Sequence, residues 1–240
     1  MTDSKLTILG RGRVGGSLAA AAERSGIEIT EGAGAVLICV PDDSIGEVCR
    51  ELGDRTPALV GHTSGACGLD VLSAAAERGA STFTLHPLQT FPGPDTAISG
   101  TPCAISGDGP AAIDYAEHLA AELGMRPFRI PDEARAEYHA AASMASNFLI
   151  AIEEAATELL ARAGIEDGRD LLSPLVLRTA ANWSEGGASA LTGPIARGDE
   201  ETVRRHREAI GRTWPELLDA YDRLAEITET IARSGEAAGK

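Results

Sequence analysis

The sequence predicts an α/β fold: a Rossmann-like, mostly parallel sheet over residues 1–130, followed by an all-helical domain over residues 131–240. Three observations carry the prediction. Short apolar runs alternate with alanine-rich, helix-like stretches through the first half. A glycine-rich turn sits directly after the first apolar run and opens the first helix. Past Pro131 the strand signal stops and only helical periodicity remains.

Taken in order, the strands fall at 6–9, 35–40, 58–61, 82–85, 102–106 and 127–130, with helices at 14–25, 44–52, 69–78 and 111–123. Residues 132–163 read as one long helix, capped by Asp132 and ended by Gly164. A second helix over 170–183 tolerates Pro174 in its first turn. Asp199 caps a third helix. Thr213-Trp214-Pro215-Glu216 has the form of a capping box with proline just inside the start. It opens a fourth helix that runs to about Arg233, with residues 234–240 as a frayed tail.

One spacing is abnormal. A dinucleotide-binding half ordinarily places a strand, a helix and a further strand between the first helix and the strand at 35–40. Here only residues 26–34 remain. If 27–30 were the second parallel strand, four residues would have to return the chain, where a parallel crossover uses about a dozen or more. Either 27–30 is an irregular stub, or the helix at 14–25 is itself the crossover from 6–9 to 35–40. Both readings cut back the adenosine-side wall. Glu31, 21 residues after Gly10, stands where a ribose-binding acid is expected, but on doubtful support.

Composition narrows the function. Thirty-six acids against 21 bases give a net charge of −15, spread along the chain, with no basic face for a nucleic-acid backbone. No apolar run approaches a membrane span, and residues 1–6 do not read as a signal peptide. Cys39, Cys49, Cys67 and Cys103 lie far apart, which argues against a disulfide scaffold or a structural metal and fits a reducing cytoplasm.

Gly10-Arg11-Gly12-Arg13-Val14-Gly15 carries the first chemistry. In a strand–turn–helix setting it is a dinucleotide fingerprint: a tight turn, close backbone approach to a pyrophosphate, and a helix N-terminus facing the phosphates. Arg11 and Arg13 add positive charge. Three more polar turns follow strands: Val40-Pro41-Asp42, His62-Thr63-Ser64-Gly65 and His86-Pro87-Leu88. In an open sheet these strand ends line one crevice. Asp42 or Asp43 reads better as a plain helix cap than as a catalytic group, and His62 and His86 read equally as structural histidines.

His139, Ser143 and Asn147 are spaced i, i+4, i+8, one stripe of an α-helix. His139 suits proton donation near neutrality, and the lysines, Lys5 and Lys240, sit at the wrong places to compete. The alternative is a small-residue packing face. Arg197, in the segment Leu191–Asp199, could fork onto a substrate carboxylate, or be an exposed loop arginine. Arg178 and Asn182, one turn apart on the second helix, are further candidates for substrate contact.

The chain resembles the Rossmann-like oxidoreductases whose C-terminal half is a domain of unknown function, DUF2520. The resemblance rests on Gly10–Gly15, Val40-Pro41-Asp42, His62-Thr63-Ser64-Gly65 and Leu85-His86-Pro87-Leu88. It rests further on Tyr138-His139-Ala140-Ala141-Ala142-Ser143 with Ser146-Asn147, and on Leu191–Asp199. That family is similar in architecture to ketopantoate reductase, pyrroline-5-carboxylate reductase and prephenate dehydrogenase.

The resemblance implies NAD or NADP as cofactor, held by Gly10–Gly15 with Val40, Pro41 and Asp42. It also implies a small acid substrate between the domains and a homodimer through the helical half. Ketopantoate reductases set a lysine and two asparagines where His139, Ser143 and Asn147 stand. The expected reaction is NAD(P)H-dependent reduction of a small carbonyl or imine acid, a 2-oxo acid such as ketopantoate being the named guess. Ser64, His86, Asn182 and Arg197 would contact substrate, with His139 donating the proton and no metal taking part. The rival expectation is a non-catalytic binding or regulatory protein that kept the fold with a degenerate cofactor site.

Overall fold

The computed structural model describes residues 5–238, so the readings at residues 1–4 and 239–240 lie outside it. The chain divides into two compact units, Met1–Ser146 and Asn147–Lys240. The strands end near Ile130, as read from the sequence, but the first unit keeps the helix that follows them.

Among the described residues, seven strands form one sheet in the order β2-β1-β3-β4-β5-β6-β7. They are β1 (Lys5–Leu9), β2 (Glu28–Ile29), β3 (Ala35–Ile38), β4 (Leu59–His62), β5 (Ser81–Pro87), β6 (Pro102–Gly107) and β7 (Arg126–Arg129). All neighbours pair in parallel except β5 and β6, which are antiparallel. The sheet unit also holds helices α1 (Arg13–Arg24), α2 (Ile45–Glu51), α3 (Ser73–Ala76), α4 (Pro110–Glu122) and α5 (Arg135–Ser143). Alternation along β3 feeds two cores. Ala35 and Leu37 pack with Leu18, Phe83, Leu85, Ile105 and Leu119, whereas Val36 and Ile38 pack with Ile45, Cys49, Val60 and Leu72.

The abnormal spacing resolves as the stub. Strand β2 is two residues long and pairs only Lys5↔Glu28 and Leu6↔Ile29. Residues 30–34 then cross to β3 on the far side of β1. Two strand spacings are about 10 Å, within reach of five extended residues, because neither short strand has to be retraced. The crossing is held by Thr7 of β1: its Oγ1 donates to Thr30 O (2.7 Å) and accepts from Ala33 N (3.2 Å).

Several local expectations are corrected. Residues 69–78 form a 3₁₀ turn (Leu69–Leu72) and a single α-turn, α3. Residues 132–163 are not one α-helix. A 3₁₀ turn (Asp132–Ala134) precedes α5, and a π-helical turn (Met144–Phe148) separates α5 from α6 (Leu149–Arg162). Asp132 does not cap, because its carboxylate accepts from Arg135 Nε at 3.0 Å instead.

In the helical unit, α7 spans Gly168–Gly186, so Pro174 lies inside the helix and not in its first turn. Helix α8 (Glu200–Thr213) is capped by Asp199 as expected, its carboxylate accepting from Thr202 N (3.0 Å) and Thr202 Oγ1 (2.7 Å). The capping box at Thr213 does not form. Thr213 is the last residue of α8 and its hydroxyl donates to Ala209 O at 3.0 Å. A 3₁₀ turn (Pro215–Leu217) leads into α9 (Leu218–Ala238), which continues past Arg233 where a frayed tail was expected. Arg162 lies 4.6 Å over the Trp214 ring and donates to Thr213 O (2.7 Å), joining α6 to the end of α8.

Because the Thr7 hydroxyl satisfies both a buried carbonyl and a buried amide, Thr7→Val should cost about 2 kcal/mol. Urea unfolding of the variant measures this as a lower midpoint at unchanged slope.

Candidate functional site

The C-terminal ends of β1, β3, β4 and β5 open into one cavity of about 560 Å³. Its walls come from the four turns singled out in the sequence: Gly12, Arg13 and Val14; Cys39, Val40, Pro41 and Asp42; Thr63, Ser64 and Gly65; His86 and Pro87. His139 of α5 joins them. An open parallel sheet binds ligands at this edge because the turns leave there and the helix N-termini point there.

The glycine turn divides its labour. Gly10 has φ +95°, and a Cβ there would lie 2.4 Å from Cys39 O. At Gly15 a Cβ would fall 1.9 Å from Gly10 O. Both glycines are thus demanded by the protein itself. Gly12, at the N-cap of α1, is different: a Cβ on it meets no atom within 4 Å and would point into open space. The fold does not need a glycine there, whereas a phosphate approaching the α1 N-terminus would. The first turn of α1 carries no acid, and Arg13 stands on the cavity wall. These residues fit a dinucleotide pyrophosphate.

Strand β2 does not extend this platform. Its last pair is level with Leu6, three residues short of the strand end at Leu9, or about 10 Å below the glycine turn. Glu31 lies two residues past the end of β2 and is absent from the cavity wall.

The other wall is a histidine cluster. His62 is fully buried and structural: Ser64 N donates to its Nδ1 (3.1 Å), so Nε2 carries the hydrogen and donates to Gly68 O (3.0 Å). Burial pushes its pKa below the usual imidazole value. Ser64 Oγ accepts from Ala66 N (3.1 Å) and Cys67 N (3.0 Å), which shapes the turn and leaves one hydroxyl hydrogen to give.

His86 Nδ1 pairs with Tyr138 Oη at 2.6 Å, and its ring centroid lies 6.4 Å from that of His139. Gly65 makes room for both rings, since a Cβ there would come within 2.7 Å of His86 Nε2 and 3.0 Å of His139 Cδ2. Burial first, then the neighbouring His139 and Arg135, push the His86 pKa down to about 4. Burial holds the Tyr138 phenol up at about 12. At neutral pH the pair is imidazole and phenol: Tyr138 donates to Nδ1, and the His86 Nε2 hydrogen faces Gly65. The Cys39 thiol, desolvated and held up at about 12, is no nucleophile.

Of the remaining sequence candidates, Arg11 is exposed beside the glycine turn and does not line the cavity. Ser143 ends α5. Asn147 lies in the π turn, where the α-helical period no longer holds, so i+8 spacing does not by itself place it on the His139 stripe. Asn147, Asn182 and Arg197 belong to the helical unit.

Sequence reasoning missed Cys39, Gln89 and Phe91 on the cavity wall. Gln89 and Phe91 come from the β5–β6 connection, which Ser17 of α1 fastens: its Oγ donates to Pro94 O (3.1 Å) and accepts from Thr96 N (3.1 Å). The buried serine at the fifth position of α1 was the available signal. Among the described residues no cluster of three or more metal-ligating side chains exists, and no helix is long and apolar enough to cross a membrane.

A glycine turn at the head of a mostly parallel sheet, with a helical second unit, defines a Rossmann-like two-unit protein. A Rossmann-like domain model matches residues 26–87, and the model for the domain of unknown function DUF2520 matches residues 101–228; the chain belongs to the DUF2520 family. No curated protein matches it.

Solved structures share the fold. One assigned as an NADP oxidoreductase from Bacteroides fragilis is 22% identical, with TM-score 0.78 over 95% of this chain and 98% of that one. A Thermotoga maritima protein is 23% identical, with TM-score 0.79 over 96% and 99%. A reductive aminase from Aspergillus terreus, solved with NADPH and ethyl-5-oxohexanoate, is 16% identical, with TM-score 0.64 over 92% of each chain.

His86 titrates near 4 when folded and near 6.5 when unfolded, so between those values the unfolded chain binds the extra proton. Stability should therefore fall as pH drops from about 6.5 to about 4, by on the order of 3 kcal/mol, and His86 adds no further loss below that. His62, lowered in the same direction, adds to the slope. Denaturant midpoints at pH 7.5 and 4.5 measure the fall, and His86→Gln should shrink it.

Proposed function

We propose that the protein is an NAD(P)-dependent oxidoreductase that reduces a small carbonyl or imine acid, a 2-oxo acid such as ketopantoate being the substrate to test first. The observation that carries this reading is the cavity itself. It sets the open side of Gly12, at a helix N-terminus, into the same space as His86 and His139. The fold shared with oxidoreductases, one of them holding NADPH, supports it.

Gly12, Val14 and the α1 N-terminus would hold the pyrophosphate of NAD or NADP, with Arg13 supplying charge and Val40, Pro41 and Asp42 flanking it. When bound, the nicotinamide supplies the two electrons of the reduction. His139 gives its imidazole proton to the substrate oxygen or nitrogen as the carbonyl or imine is reduced. His86 cannot be that donor near neutrality, because it is already deprotonated. It offers a fixed N–H to the substrate, held by Tyr138. Ser64 has one hydroxyl hydrogen for the same purpose. Asn147, Asn182 and Arg197 are proposed to bind the substrate's acid group from the helical unit.

One observation favours the rival reading, a non-catalytic binding or regulatory protein that kept the fold with a degenerate cofactor site: β2 stops short of the height where an adenosine would be walled in. One experiment separates the two. NADH and NADPH are titrated into the natural protein, Gly12→Val and His139→Gln, and turnover is followed with a panel of 2-oxo acids. The natural protein should bind with a dissociation constant above about 1 µM, weaker than about 8 kcal/mol. Gly12→Val should fold normally and lose binding. His139→Gln should keep binding and lose about 100- to 10,000-fold in turnover. Failure of the natural protein to bind either cofactor, with no turnover on any substrate, supports the rival.

We also propose a homodimer through the helical unit. Among its described side chains only Ile210 and Ala225 are buried apolar residues, while Leu177 and Trp183 are 71% and 67% exposed, with Ile150, Leu171 and Leu175 beside them in kind. Sedimentation should give twice the monomer mass, and Leu177→Glu with Trp183→Glu should return it to 24.8 kDa.

A further inference from the structure

Helix α5 carries a buried charge that stability does not call for. Arg135 is only 3% exposed, yet its ionic partner Asp132 has a side chain 43% exposed. Arg135 Nη2 donates to Thr84 Oγ1 (3.0 Å) and Ser106 Oγ (2.6 Å), and Nε donates to Asp132 Oδ1 (3.0 Å). Nη1 is buried with no acceptor among the described residues. A guanidinium with an orphan N–H is a costly way to pin two strands together.

Its partners do not depend on it. Thr84 Oγ1 and Ser106 Oγ are hydrogen-bonded to each other at 2.9 Å, Thr84 Oγ1 also accepts from Ser106 N (3.1 Å), and Asp132 reaches solvent. An apolar side chain of similar length would leave none of these groups buried and unpaired. Such replacements of buried ions are often neutral or stabilising.

The charge of the guanidinium reaches the histidine cluster. Thr84 lies two residues before His86 on β5 and so shares its face of the strand. About one turn further along α5, Tyr138 and His139 meet His86, through the 2.6 Å hydrogen bond and the 6.4 Å ring contact. The charges facing His86 are Arg135 and the polar or titratable His139, His62 and Tyr138, with Asp42 as the opposing carboxylate.

We propose that Arg135 is the positioning residue of the cavity: it fixes the first turn of α5 against β5 and β6 and so sets the His86–Tyr138–His139 geometry. Its value for catalysis rests on the oxidoreductase reading. The test is read without cofactor or substrate, so the two can fail separately.

The experiment compares Arg135→Met, Arg135→Gln and Arg135→Lys by thermal unfolding and by NMR titration of the histidine rings. All three should unfold within about 5 °C of the natural protein, since no buried partner is orphaned. In the two neutral variants the His86 midpoint should rise by about half a pH unit or more, and in the lysine variant it should stay low. A purely structural role would move all three alike. The proposal falls if the neutral variants leave the midpoint unchanged, or if lysine shifts it as far as methionine does. Should the methionine variant not fold, the glutamine and lysine variants still decide; should none fold, Arg135 is a stabilising residue and the proposal is wrong.

Discussion

The glycine-turn side of the sheet depends on how residues 30–34 cross β1, and that crossing depends on the Thr7 hydroxyl. A chain passing over a strand buries backbone groups that no ladder can pair. One threonine satisfies two of them, as donor to Thr30 O and acceptor from Ala33 N. Given that clamp, β2 needs only two residues and β3 can pair directly with the other edge of β1. The saving removes a strand and a helix from the usual half, and with them the wall above Glu31. The glycine turn is untouched, because Gly10 and Gly15 are fixed by contacts with Cys39 and with each other.

Chemistry in the cavity is organised by desolvation more than by charge pairing. His62, His86, Tyr138 and Cys39 are all held in their neutral forms chiefly by burial. Neutral groups in a water-poor site serve as fixed hydrogen-bond donors and acceptors, which orient a substrate without trapping it as an ion pair. His139 shares the cavity wall with them.

Much of this was legible in the sequence. The glycine turn, the turns at Pro41, Ser64 and His86, and His139 were identified from their places after strands or on a helix, and they share one cavity. Those positions follow from topology, which alternation reveals. The antiparallel β6 was not legible, because its direction depends on where the connection after Pro87 leads. That path is set by Ser17 hydrogen bonds some 77 residues apart in sequence. The π turn at Met144–Phe148 was equally hidden, since its residues read as ordinary helix formers. Nothing in the sequence singled out Arg135; the pairing of β5 with β6, which brings Thr84 and Ser106 together, shows where its guanidinium is held.

The shortened strand has an effect at the rim of the sheet as well. Exposed strand edges are templates on which another chain can add a strand. Here one rim is the two-residue β2, tied to β1 by a Lys5–Glu28 ion pair at 3.4 Å. The other is β7, where Pro127 offers no amide and Arg126 and Arg129 flank it. Neither rim presents a long run of free backbone to be copied, so the economy that shortened β2 also blunts the sheet at that edge.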